Sequence, residues 1–217
     1  MPTPRVQVVG LGSSAGGLSA LKEFFARMAP DSGRAFVVIQ HLMADGPTLT
    51  RDILARVTAM EVVTARDRLG VLSDHVYTMP PGTQVTISGG RLVVAPRTET
   101  GSRHHPFDRF LQSLAIDCGA DATAVVFSGY DGDGAEGFVA IKAHGGITYA
   151  QDGTAAVGEM PKSAMATGCV DHVLDATAIA AHISRQRAWR EPSRADADAI
   201  RPRVPDAPAA RDRGNEP

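Results

Sequence analysis

The chain has 217 residues, a formal net charge of −2 and two cysteines. Its length suits one large domain, and its near-neutral charge excludes the strongly basic surface that nucleic-acid binding usually needs. Cys118 and Cys169 are the two cysteines and are far apart in the sequence, so neither a disulfide framework nor a zinc site is expected. No stretch reaches the roughly 18 apolar residues of a membrane span, so we expect a cytoplasmic protein without membrane insertion.

Short apolar runs alternate with helical patterns along most of the chain. This predicts a doubly wound α/β fold, with a mainly parallel sheet and helices on both faces. Strands are predicted at 6–9, 36–40, 62–65, 76–79, 125–128, 147–150 and 170–174. Helices are predicted at 17–28, 47–58, 106–118, 135–144, 161–166 and 176–185. Two strand-like runs around Gly89-Gly90 predict an antiparallel β-hairpin at the edge of the sheet.

The composition changes after residue 184. Residues 185–217 are rich in arginine and proline and have only Trp189, Ile200 and Val204 as larger apolar side chains, too few for a core. We therefore expect one domain over residues 1–184 and a disordered tail over residues 185–217.

The first candidate site is a glycine-rich turn after the first predicted strand, Gly10-Leu11-Gly12-Ser13-Ser14-Ala15-Gly16-Gly17. A nucleotide-binding loop would need an acid after the next strand or the Lys-Ser/Thr ending of a P-loop, and neither is present. A purely structural turn, which lets a helix pack closely on the sheet, is a second interpretation. The third is a nucleophile elbow, because Gly12, Ser14 and Gly16 have the Gly-x-Ser-x-Gly spacing.

His41 directly follows the second predicted strand. A single histidine at a strand end is often only structural. In a parallel sheet, however, the carboxyl ends of neighbouring strands meet in one crevice, where His41 could accept the proton of Ser14. Activity would then rise with pH through a pKa of about 6–7.

A second glycine-rich loop follows the strand predicted at 125–128, and it reads Ser128-Gly129-Tyr130-Asp131-Gly132-Asp133-Gly134. Asp133 and Glu136 have the spacing of a capping box for the next helix. Asp131 and Asp133 also suggest a cation loop, but the residues beyond Gly134 do not fit an EF-hand, so no metal site is expected. Ser14, His41 and Asp133 each follow a strand, in an order that a catalytic triad permits.

Five segments in the same order resemble the catalytic domain of the CheB family of chemotaxis receptor methylesterases, over nearly all of residues 6–183. They are Gly12-Ser13-Ser14-Ala15-Gly16-Gly17, Ile39-Gln40-His41, His75-Val76-Tyr77-Thr78-Met79-Pro80-Pro81-Gly82, Ser128-Gly129-Tyr130-Asp131-Gly132-Asp133-Gly134, and the run from Gly145-Gly146 through Ala150-Gln151-Asp152 to Gly158-Glu159-Met160-Pro161. The resemblance implies that Ser14 is the nucleophile, His41 its base and Asp133 the residue that orients the histidine.

The implied activity is hydrolysis of glutamate γ-methyl esters on methyl-accepting chemoreceptors or similar sensor proteins, with deamidation of receptor glutamines as a further reaction. It needs no cofactor and no metal ion. Oxyanion and substrate binding are assigned to the two glycine-rich loops, at Ser13, Ala15, Gly16, Tyr130 and Asp131. Because Val6 already begins the first strand, we expect a stand-alone esterase domain without a receiver domain, open to a regulator in trans.

The two loops depart from the family's usual sequence. Ala15 stands where a threonine is usual, and Tyr130 and Asp131 add a bulky ring and a negative charge near the oxyanion site. Two alternatives therefore stay open: a serine esterase with another substrate, and a catalytically weak module that binds receptors.

Overall fold

The computed structural model describes residues 6–40, 49–97 and 105–186. Nine strands and six helices lie in these ranges. In chain order they are β1 (Gln7–Ser13), α1 (Gly17–Arg27), β2 (Arg34–Gln40), α2 (Thr50–Leu54), β3 (Glu61–Thr64), β4 (His75–Thr78), β5 (Thr83–Ser88), β6 (Arg91–Pro96), α3 (Pro106–Cys118), β7 (Ala122–Val126), α4 (Ala135–Ala143), β8 (Ile147–Gln151), α5 (Glu159–Ala166), β9 (His172–Leu174) and α6 (Ala176–Arg185).

Seven strands form one sheet in the order β3-β4-β2-β1-β7-β8-β9, and every neighbouring pair is parallel. Apolar side chains of α1 and α6 cover one face, and those of α3, α4 and α5 cover the other. Burial on both faces explains why β1 and β2 have continuous apolar runs instead of alternating ones. The predicted doubly wound α/β fold is confirmed.

The predicted β-hairpin is present as β5 and β6, but it forms a separate two-stranded sheet and not an edge of the large one. It is fixed to α3 by polar contacts. The Ile87 N–H donates to Ser113 Oγ at 3.0 Å. The Gly89 and Gly90 N–H groups donate to the Asp117 carboxylate at 2.6 and 3.0 Å.

Strand β1 continues to Ser13, four residues beyond its predicted end. The glycines that suggested an early turn lie inside the strand, at positions where α3 packs directly on it. A Cβ on Gly12 would lie 2.2 Å from the Phe107 ring, and one on Gly10 would lie 2.9 Å from Leu111. Close packing therefore explains these two glycines, and the turn itself is confined to the residues after Ser13.

Other boundaries also differ from the predictions. Helix α2 ends at Leu54, four residues before its predicted end, and α5 begins at Glu159, so Pro161 lies in its first turn. No helix in the ranges given above has the length and apolarity needed to span a membrane. Helix α6 ends at Arg185, and residues 187–217 lie outside the described ranges, so the domain boundary and the disordered tail stay predictions.

The order of the strands shows where the crevice of the sheet lies. Strand β1 has β2 on one side and β7 on the other, so successive strands are added outward in opposite directions from the boundary between β1 and β7. At such a switch point the carboxyl ends of the adjacent strands open a cleft in which ligands bind. The segments that follow β1 and β7 are the two glycine-rich loops singled out in the sequence.

Candidate active site

Ser14 is the first residue after β1 and is half-buried. Its N–H donates to the Ser128 carbonyl at 2.9 Å, and its own carbonyl accepts the Gly17 N–H at 3.0 Å, which closes the turn into α1. Gly16 takes a left-handed conformation with φ of +74° at the start of the helix. This is the strand, tight turn and helix that a nucleophile elbow requires.

Ser128 joins the two loops, and the sequence analysis gave it no role. Only 1% of it is exposed. Its Oγ donates to the Ala15 carbonyl at 2.7 Å and accepts the Val157 N–H at 2.9 Å. Its N–H donates to Oε1 of the buried Gln151 at 3.0 Å. One serine thus connects the turn after β1, the end of β8 and the segment before α5. Its only sequence signal is that it lies in a motif quoted for the family.

Gly129 passes so close to Ser14 that only glycine fits. A Cβ on Gly129 would lie 2.9 Å from the Cβ of Ser14 and 2.1 Å from the sulfur of Met160. Its N–H donates to the Val157 carbonyl at 2.9 Å, and its carbonyl accepts the Met160 N–H at 3.0 Å. The loop after β7 is therefore held against the Ser14 turn by its backbone.

The predicted oxyanion residues fall into different environments. The N–H groups of Ala15, Gly16 and Tyr130 have no hydrogen-bond acceptor among residues 6–40, 49–97 and 105–186, so they are open to a ligand. Ser13 is different, because it belongs to β1 and is 1% exposed. A Cβ on Gly17 would lie 2.5 Å from that of Ser13, which places the Ser13 side chain against the start of α1.

Tyr130 and Asp131 shape the second loop. The Tyr130 side chain is 61% exposed. Asp131 has a φ of +66°, and its Oδ1 accepts the Asp133 N–H at 3.0 Å. Asparagine and aspartate tolerate this left-handed conformation better than most residues, so Asp131 suits the sharp turn that leads to Asp133.

Asp133 is buried and binds the start of a helix other than its own. Its Oδ2 accepts the Phe107 N–H and its Oδ1 accepts the Asp108 N–H, both at 2.9 Å. These are free N–H groups of the first turn of α3. Helix α4 instead begins after Gly134, without a side-chain cap. The capping-box interpretation, in which Asp133 caps α4, is therefore wrong, because the side chain caps α3.

Asp108 and His105, at the start of α3, lie beside Asp133. Asp108 is 5% exposed, and its Oδ1 accepts the Gly137 N–H at 2.8 Å. His105 Nδ1 lies 3.4 Å from Asp108 Oδ2 and 3.7 Å from Asp133 Oδ1. Burial raises the pKa of Asp108 to about 6, against the lowering effect of the Gly137 N–H.

A histidine and two carboxylates are also a possible ligand set for a metal ion, and their ligand atoms all lie within 4.8 Å of one another. Three of the four carboxylate oxygens, however, already accept backbone N–H groups. The arrangement therefore serves the ends of two helices, and the prediction of no metal site is neither supported nor contradicted by it.

His41, the predicted base, lies outside the described residues. Its chain neighbour Gln40 is the last residue of β2 and is paired in register with Ser13, the last residue of β1. The two strands therefore end side by side at the edge that carries Ser14. The role of His41 stays a prediction.

A cavity of about 360 Å³ lies beside the Ser14 turn, between the end of β8 and α5. Ala156 and Gly158 line it, and Lys162 and Asp152 bring one charge of each sign. The Ala156 Cβ would lie 2.9 Å from a Cβ on Gly16, so this wall of the cavity is shared with the turn after Ser14.

The fold and these loops define a doubly wound α/β protein with a serine turn and a buried aspartate at its crevice. The model of the CheB methylesterase family matches residues 9–183, and the chain belongs to that family. The structure is similar to the crystal structure of the Thermotoga maritima CheB methylesterase catalytic domain, with a TM-score of 0.72 and 25% identity, covering 84% of this chain and 99% of that one.

Two curated relatives are named as protein-glutamate methylesterases. A protein-glutamate methylesterase/protein-glutamine glutaminase of Carboxydothermus hydrogenoformans is 35% identical over 82% of this chain, and one of Pseudomonas aeruginosa is 34% identical over 85%. An uncharacterized 104.1 kDa protein of Rhodobacter capsulatus is 42% identical over 56% of the chain. The chain spans 54% of each of the first two relatives and 13% of the third.

Proposed function

We propose that the chain is a serine hydrolase that removes methyl groups from glutamate γ-methyl esters of methyl-accepting chemoreceptors or similar sensor proteins. Deamidation of receptor glutamines, as in the names of the curated relatives, is the same chemistry with ammonia as the leaving group. The observation that carries the proposal is the Ser14 turn. It projects from the end of β1 and is tied by Ser128 and Gly129 to the loop that bears Asp133.

In the proposed first step, Ser14 Oγ bonds to the ester carbonyl carbon and gives its proton to His41. The N–H groups of Ala15, Gly16 and Tyr130 receive the developing oxyanion, since they are not otherwise engaged among the described residues. The carbon–oxygen bond to the methoxy group then breaks, and methanol leaves with the proton from His41. An acyl-enzyme on Ser14 remains.

In the second step, water loses a proton to His41 and adds to the acyl carbon. The bond to Ser14 breaks, the serine recovers its proton, and the glutamate carboxyl group is released. Asp133 orients His41 in this proposal. Its burial and its two backbone N–H donors support that role, because they fix the carboxylate in place.

The cavity beside Gly16 supports a substrate larger than the reacting ester. It offers room for the polypeptide that carries the methylated glutamate, next to the serine turn. The exposed ring of Tyr130 lies in the loop held against that turn and offers an apolar contact to the same substrate.

The test is methanol release from methylated receptor membranes by the wild-type protein and by Ser14→Ala. Removal of a triad nucleophile typically costs on the order of 10⁴ or more in rate. Ser19→Ala, which removes an exposed hydroxyl from α1, is the matched control and should keep wild-type activity. Equal release by wild type and Ser14→Ala would overturn the proposal.

The same variants distinguish the alternatives. Turnover of small esters without turnover of methylated receptor would indicate a serine esterase with another substrate. Receptor binding without any turnover, together with no labelling of Ser14 by a serine-reactive phosphonate, would indicate a binding module.

A further inference from the structure

Asp108 is a buried carboxylate that the proposed reaction does not use. It is the third residue of α3, and 5% of it is exposed. Burying a charge at such a position is costly unless the group is well bonded, so a carboxylate kept there calls for a physical explanation. Its contacts lead to Asp133.

The two aspartates cap each other's helices. Asp133, in the loop before α4, accepts two N–H groups from the first turn of α3. Asp108, in that first turn of α3, accepts the Gly137 N–H in the first turn of α4. Asp133 thus caps α3, and Asp108 caps α4. The residues at the N-cap positions of these helices, His105 and Gly134, provide no side-chain cap themselves.

This exchange determines where the Asp133 carboxylate lies. Its oxygens are held by the backbone of α3, while the loop that carries it runs into α4, which Asp108 holds against α3. Phe107 completes the contact, because a Cβ on either Gly12 or Gly134 would meet its ring at 2.2 or 2.6 Å. Loss of Asp108 would release the start of α4 and, with it, the Asp133 loop.

The charges of the cluster are also coupled. The pKa of Asp108 is raised to about 6, and burial is the largest cause. The charges of Asp133, in the loop before α4, and of Glu136, in α4, also raise this pKa, whereas His105, at the start of α3, lowers it. Near neutral pH the ionised form therefore predominates, and below pH 6 the protonated form does.

We propose that Asp108 is a positioning residue of the hydrolytic site: it holds the start of α4 against α3, which fixes Asp133, and it adds a second negative charge beside Asp133. This inference rests on the proposed function, in which Asp133 orients His41. In that mechanism the second charge stabilises the imidazolium that forms when Ser14 loses its proton.

Asp108→Ala removes the oxygen that accepts the Gly137 N–H, whereas Asp108→Asn keeps an oxygen there and removes only the charge. We expect kcat to fall about 10–100-fold in Asp108→Ala and less in Asp108→Asn, with KM changed less than about threefold in both. In Asp108→Asn the midpoint of the acid limb of kcat/KM should move to lower pH by about half a unit or more, because a negative charge beside Asp133 is lost. Glu136→Gln, an exposed charge removed from the same cluster, is the matched control and should stay within about threefold of wild type.

Amide NMR of the wild-type protein gives a readout that does not depend on activity. The Gly137 amide should titrate with a midpoint near pH 6, and the Phe107 and Asp108 amides should follow it through Asp133. In Asp108→Asn this titration should be lost from Gly137.

The outcomes separate the two proposals. A wild-type kcat in Asp108→Ala and an unmoved acid limb in Asp108→Asn, with Ser14→Ala inactive, would overturn the role of Asp108 alone. An unchanged Ser14→Ala would overturn the proposed function, and the NMR titration would then decide whether the two aspartates are coupled. If the Asp108→Ala protein does not fold, a wild-type kcat together with an unmoved acid limb in Asp108→Asn would overturn the inference.

Discussion

Ser128 holds the turn that carries Ser14 by two hydrogen bonds. The Ser128 carbonyl accepts the Ser14 N–H at 2.9 Å, and its hydroxyl donates to the carbonyl of the next residue, Ala15, at 2.7 Å. The Ser14 turn after β1 is therefore fixed by the loop that follows β7, as well as by its own helix. A serine that does no chemistry in the proposed reaction thus controls the position of the one that does.

Ser128→Ala should impair both stability and turnover. It leaves the Ala15 carbonyl and the Val157 N–H without their partner, at a cost of about 1–3 kcal/mol in unfolding free energy. A displaced turn should lower kcat about 10–100-fold. Urea denaturation and methanol release measure the two effects, with Ser19→Ala as control. A variant equal to wild type in both would show that the turn keeps its shape without this hydroxyl.

Gly12→Ala should destabilise the protein because α3 packs directly on β1. The new methyl group would lie 2.2 Å from the Phe107 ring, and overpacking of this kind costs about 1–3 kcal/mol or more. Activity should fall as well, since the Phe107 N–H holds Asp133. Gly153→Ala is the control, because nothing lies within 4 Å of its added methyl group. Equal unfolding midpoints for the two variants would contradict the predicted clash.

Asp108→Asn should make the fold more stable at pH 7. The pKa of Asp108 is raised from 3.8 to about 6, so the folded protein holds this proton more tightly than the unfolded chain. Stability contributed by the proton is therefore lost as pH rises from about 4 to 6, by at most roughly 3 kcal/mol. The neutral amide avoids that loss.

The measurement is the unfolding free energy of wild type and Asp108→Asn at several pH values. We expect a gain of about 1–3 kcal/mol for the variant above pH 6 and a much smaller difference below pH 4. Glu136→Gln should show no comparable gain, because Glu136 is exposed. A variant that is less stable than wild type at pH 7 would mean that the ionised carboxylate stabilises the fold.

Tyr130→Ala should affect substrate binding and not folding. Its ring is 61% exposed, so the unfolding free energy should change by less than about 0.5 kcal/mol. Loss of an aromatic contact should raise KM for methylated receptor about fivefold or more, while hydrolysis of a small ester stays the same. Leu72→Ala, which removes another exposed side chain, is the control. An unchanged KM would place the substrate away from Tyr130.

The sequence predicted the architecture well because alternating apolar periods are a local property. Continuous apolar runs reveal strands buried on both faces, and the helices between them follow from the same patterning. Ser14 was predicted as the nucleophile from its spacing between glycines, and Asp133 from its place after a strand, together with the resemblance to the family. Each of these signals is contained within about ten neighbouring residues.

The tertiary structure decided what each residue contacts. The strand runs on to Ser13 because Gly12 and Ser13 pair with β2, and position 12 needs a glycine because Phe107, nearly a hundred residues away, occupies the space of a side chain. Asp133 looked like the cap of its own helix, yet it caps α3. Hydrogen bonds between segments so distant in sequence leave no local pattern. The contacts of Ser128 and Asp108 could therefore be identified only in the folded structure.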